Sequence, residues 1–126
     1  MPADSFLTTV TPDRYRAWLQ LLRDGNQNLV RLWGGGVYEL DEFYDICDGK
    51  QPSTPSQTAV IKIYSELGIL VWQDFQFACG VYPAHDEFVE SVKNEAEQNV
   101  RRLRAHPSMA LFCGNNEGYS LSTTLL

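Results

Sequence analysis

Gly68-Ile69-Leu70-Val71-Trp72-Gln73-Asp74-Phe75 is the stretch that decides the fold. A glycine introduces consecutive apolar residues, and the run stops abruptly in an amide and an acid. An unbroken apolar strand predicts burial on both faces, the habit of a parallel sheet covered by helices. Two other segments repeat the form. Leu29-Val30-Arg31-Leu32-Trp33 breaks into Gly34-Gly35-Gly36, and Met109 to Cys113 runs into Gly114-Asn115-Asn116-Glu117.

Helical patterns separate these strands. Thr11-Pro12-Asp13 reads as a helix start, with a capping hydroxyl, a proline suited to the first turn and an acid at the positive dipole end. Tyr15, Trp18, Leu19 and Leu22 then recur at helical spacing until Gly25-Asn26 stops the run. A second helix begins near Asp41, with Phe43, Tyr44 and Cys47 on its apolar side. The third runs from about Asp86 to Ala105, places Phe88, Val89, Val92, Ala96, Val100 and Leu103 on one face, and is closed by Pro107.

The order helix, strand, helix, strand, helix, strand implies an α/β fold with parallel strands and covering helices. All strands of such a sheet end on one edge, so Trp33-Gly34, Trp72-Gln73-Asp74 and Asn115-Asn116-Glu117 should converge there. That edge is the expected substrate site. Gly34 to Gly36 is not a phosphate cradle, because no Lys-Ser/Thr follows and no helix opens on it.

Gly49 to Ser65, a 17-residue stretch rich in Ser, Thr, Pro and Gln, interrupts the passage from the second helix to its strand. Joining Asp48 to Glu66 would give a well-formed helix stopped by Gly68. An insertion or a retained intron accounts for this better than a lid does. Gly49-Lys50 and Tyr64-Ser65 are what a typical intron's borders encode.

With 126 residues the chain is too short for a complete eight-stranded α/β barrel, which needs roughly 250. Apolar residues at 44% allow a packed core. Ten basic against sixteen acidic residues leave a net charge of −6, which argues against nucleic acid or an anionic membrane as partner. Arg101, Arg102 and Arg104 read as a solvated helix face near a negative dipole end. Cys47, Cys79 and Cys113 lie far apart, form no C-x-x-C pair, and are expected to be buried structural thiols. His85 and His106 have no metal-ligand spacing, so neither metal nor cofactor is expected. Without a visible secretory signal or an apolar run near the ~20 residues of a membrane span, the expectation is a soluble, cytoplasmic protein.

Taken together, the segments resemble the β-mannosidases of glycoside hydrolase family 2, of the fungal intracellular type. The resemblance rests on Pro2-Ala3-Asp4-Ser5-Phe6, on Val30 through Glu39 with its Arg-Leu-Trp-Gly-Gly-Gly core, and on Phe43-Tyr44-Asp45. It continues through Gly68 to Phe75 and from His106-Pro107-Ser108 to Gly114-Asn115-Asn116-Glu117. Any one of these alone is weak; the combination is specific.

The resemblance implies part of a (β/α)8 TIM barrel, from the end of strand one through strand four, with residues 1–126 as the N-terminal part of the catalytic domain. It makes Glu117 the general acid/base of a retaining hydrolase that removes terminal β-D-mannose. Asn116 would hydrogen-bond the sugar next to the cleaved bond, and Trp33 would floor the sugar subsite. Asp74 and Asp4 would contact substrate. Barrel core is the alternative for Trp33, and a structural salt bridge the alternative for Asp74. A retaining glycosidase also needs a second carboxylate about 5 Å from the first. The family takes that nucleophile from strand seven, so this polypeptide is expected to be an inactive fragment. The alternatives are another family 2 β-glycosidase, a β-galactosidase or β-glucuronidase, or a non-catalytic module that binds carbohydrate or protein.

Overall fold

In the computed structural model, residues 10–49 and 68–118 are described, and the first element begins where the sequence places its cap. Helix α1 (Pro12–Asp24) starts behind Thr11, whose hydroxyl accepts from Arg14 N at 3.3 Å. At its far end Asn26, rather than Gly25, takes the left-handed conformation, with φ 55°. The chain continues through β1 (Leu29–Leu32), α2 (Asp41–Cys47), β2 (Leu70–Asp74), α3 (Asp86–Leu103) and β3 (Met109–Cys113). The strands form a parallel sheet in the order β1-β2-β3, with Leu29 opposite Leu70 and Trp72 opposite Leu111.

Alternate residues of each strand meet different surroundings. Val30, Leu32 and Val71 are buried against Tyr15, Leu19, Phe43, Tyr44, Ile46 and Leu103, with Met109 and Phe112 packed at the margin. This is the helix-covered face. The other face carries Leu29, Leu70 and Leu111, each about 40% exposed. Among the described residues the expectation of burial on both faces therefore fails for the strands' outer positions. A continuous apolar run shows that both faces are apolar, but it does not show what covers each of them.

The third helix departs from expectation in the same way. Of its apolar stripe only Leu103 is buried, and Val89 is exposed. The stripe meets the core at the helix C-terminus, while Phe88 packs edge-on against Phe77 near the N-terminus.

Three latches fix the helix layer. Asp48 accepts from Ser108 N at 2.8 Å and bonds His106 Nδ1 at 2.6 Å, which ties the end of α2 to the approach to β3. Tyr15 donates to the buried Glu39 at 2.6 Å, and Tyr44 donates to Gln73 at 2.8 Å. Helix α2 stops at its own glycine, for Gly49 takes φ 77° and donates to the Ile46 carbonyl. Gly68, past the end of the suspected insertion, also takes a positive φ, of 50°. The described residues on either side of that stretch meet: Ile69 N donates to the Cys47 carbonyl at 3.3 Å. Residues 50–65 of that stretch lie outside the described residues, as does Asp4. No helix among the described residues is long and apolar enough to cross a membrane.

Candidate active site at the strand C-termini

The parallel order brings the three strand ends to one edge, and a polar network joins them there. Arg31 lies mid-strand in β1, opposite Trp72, on the open face. Asp74 is two residues beyond Trp72 and so shares that face. The guanidinium grips the buried Asp74 carboxylate with two bonds, Nε to Oδ1 at 3.1 Å and a terminal nitrogen to Oδ2 at 2.7 Å. The same terminal nitrogen donates to Asn116 Oδ1 at 2.9 Å. Arg31 also stacks over the Trp72 ring, 5.0 Å from its centroid. Hydrogen bonding to Asp74 pushes the Arg31 pKa further up, and the charge of Glu117 adds to this.

Two glycines make the edge possible. A Cβ on Gly34 would lie 2.3 Å from the Phe75 carbonyl oxygen, so only glycine lets the β1 and β2 exits approach. Gly34 N uses that approach to donate to Asp74 Oδ2 at 3.3 Å. At Gly35 a Cβ would collide with the Trp33 ring, which folds back over this residue. Trp33 is 37% exposed and stands outside the helix-covered core.

Beyond β3 the chain continues to pair. Asn116 N donates to the Phe77 carbonyl at 2.9 Å, which places Glu117 beside the loop that follows β2. Glu117 is exposed, has φ 60°, and accepts from the Cys79 thiol at 3.4 Å. Cys79 is therefore an exposed residue at the edge and Cys113 is partly exposed, so only Cys47 is the buried thiol expected of all three.

Asp74, Asn116 and Glu117 thus meet at one edge, with Trp33 next to Gly34. Asp74 has the contacts of the salt-bridge alternative. Sequence reasoning missed Arg31 and Cys79. An arginine inside an otherwise apolar strand, facing an acid on the neighbouring strand, was the signal for the first.

No family model matches the chain. Over 121 residues, 96% of its length, it is 48% identical to β-mannosidase B of Emericella nidulans, and this is 12% of that relative. The crystal structure of β-D-mannosidase from Dictyoglomus thermophilum matches 93% of the chain and 12% of its own, with TM-score 0.75 and 44% identity. β-Glucuronidase 3 of Bacteroides uniformis, TM-score 0.58 and 24% identity over 87% of this chain and 12% of its own, shares the fold alone. In fold and in sequence the chain is similar to segments of glycosidases. In sequence it is similar to one segment of the β-mannosidases, and it spans about 12% of the length of the relatives it matches.

Proposed function

We propose that this chain is the N-terminal part of the catalytic (β/α)8 barrel of a retaining β-mannosidase, with Glu117 as its general acid/base. The observation that carries the proposal is the joining of β1, β2 and the β3 exit by Arg31, Asp74 and Asn116, next to Glu117. In that reading the open face of the sheet is the barrel interior.

Each side chain then has a task. Glu117 gives its proton to the leaving oxygen and later takes one from the water that attacks the glycosyl-enzyme. Arg31 donates to Asn116 Oδ1 and so fixes which way the amide faces, leaving the N–H that does not meet Cys79 Sγ for a sugar hydroxyl. Asp74 acts through Arg31 rather than on substrate. Trp33 offers an exposed indole as a floor for the apolar face of a sugar ring. Asp4 is assigned a hydroxyl contact by resemblance only. The nucleophile is expected from strand seven, so the 126-residue polypeptide alone should not turn over an aryl β-mannoside.

The test is a chimaera in which this chain replaces the matching segment of Emericella nidulans β-mannosidase B. Turnover of aryl β-mannoside, lost in Glu117→Gln, supports the assignment. Turnover of an aryl β-glucuronide instead would shift it to a sister specificity. Carbohydrate binding without hydrolysis of either would favour a non-catalytic module.

A further inference from the structure

The loop after β2 is built to hold one side chain against Glu117. It stays paired with the β3 exit as it leaves the strand: Phe75 N donates to the Cys113 carbonyl and Cys79 N to the Asn116 carbonyl, both at 2.9 Å. Ala78 and Asn116 consequently pair in parallel beyond the end of the sheet. Tyr82 braces the turn. Its hydroxyl accepts from Ala78 N at 2.7 Å and donates to the Ala78 carbonyl at 3.1 Å, with its ring edge-on to Phe77.

At the tip, Cys79 Sγ donates to Glu117 Oε2 at 3.4 Å and accepts from Asn116 Nδ2 at 3.8 Å. Cys79 and Glu117 are both left-handed, with φ 50° and 60°. Such conformations cost non-glycine residues about 1–3 kcal/mol each and persist where surrounding structure enforces them. The remaining non-glycine example among the described residues, Asn26, sits in the stop of α1, an ordinary place for it. Here two strained residues touch, and the contact joins their functional groups.

We propose that Cys79 is a positioning residue for Glu117: its thiol holds one carboxylate oxygen, so that the other is presented to the glycosidic bond. The proposal rests on Glu117 being the acid/base. A thiol is a weak donor, suited to restricting an exposed carboxylate without tying it up. The contact acts in both directions. The hydrogen bond to Glu117 pushes the Cys79 thiol up, so the carboxylate suppresses the thiolate that alkylating agents attack.

The test begins with the 126-residue chain and iodoacetamide at about pH 7.5, in ~0.5 M salt to screen distant charges. Peptide mass mapping scores Cys79 separately from Cys113 and the buried Cys47. Glu117→Gln should raise the Cys79 rate by about threefold or more, because alkylation follows the thiolate fraction. An unchanged Cys79 rate overturns the contact. In the chimaera, Cys79→Ala should lower kcat by about threefold to tenfold and move a limb of its pH profile, and Cys79→Ser should restore most of the loss. A Cys79→Ala profile superimposable on the parent, with Glu117→Gln inactive, overturns the positioning role while leaving the acid/base assignment standing. Full activity of Glu117→Gln removes that assignment, and the proposal with it.

Discussion

The helix-covered face of the sheet and its open face are made by alternate residues of the same strands, yet different forces hold them. On the covered face Val30, Leu32 and Val71 are closed in by helix side chains. A buried amide there, Gln73, is satisfied by Tyr44 and by the Asp74 carbonyl. On the open face order comes from a few directional contacts, centred on Arg31, with Asp74 fully buried beneath it. Apolar packing is redundant, since many neighbours share each side chain. The polar network is not, since one guanidinium serves two strands and a loop.

The sharpest way to break this contrast is Arg31→Met. It leaves the buried Asp74 carboxylate without its cation, and a stranded buried charge of this kind costs about 3–5 kcal/mol. Urea unfolding should show a loss of that size. A loss below about 1 kcal/mol would mean that Asp74 is reached by water or by another cation.

Next in size is a matched pair of substitutions across the sheet. Leu32→Ala on the covered face should cost about 2–4 kcal/mol through lost transfer energy and a residual cavity. Leu70→Ser on the open face should cost much less and should reduce self-association at high concentration, since it breaks a contiguous exposed apolar surface. Sedimentation alongside urea melts separates the two effects. Equal losses would show that the faces are not distinct.

The smallest effect is alkaline. Burial pushes the Cys47 thiol and the Tyr15 and Tyr44 hydroxyls well above their ordinary values, with Glu39 adding to the effect at Tyr15. The folded chain keeps these groups protonated where the unfolded chain ionises them, near pH 8.5 for the thiol and about 10 for the phenols. Their contribution to stability should therefore be flat below about pH 8 and fall as pH rises, by at most about 1.4 kcal/mol per group per pH unit. Cys47→Val should remove the part of the fall that begins near pH 8.5 and leave the steeper part above about pH 10. A flat Tm to pH 10.5 would contradict the burial of all three.

The elements of the covered face were legible because their causes are local. Thr11-Pro12 starts α1, Asp41 starts α2, and the apolar runs mark β1, β2 and β3 within about two residues of their observed bounds. The convergence of strand ends followed from parallel order alone. What stayed hidden depends on distant pairs. Arg31 meets residues 43 and 85 positions away, and no periodicity announces either contact. Cys79 reaches Glu117 only because Ala78 pairs with Asn116 beyond the sheet. The α3 stripe misled for a related reason, since helical spacing shows which face is apolar and not how far a neighbour extends along it.

The central claim is that the open face ends in an acid/base, and leaving-group dependence tests it most directly. In the chimaera, Glu117→Ala should lose activity most severely on a β-mannoside with a poor, alkoxide-like leaving group. It should lose far less in the first step on a dinitrophenyl β-mannoside, which needs no proton. Azide should then speed breakdown of the covalent intermediate. Equal losses on both substrates, with no response to azide, would contradict the assignment of Glu117.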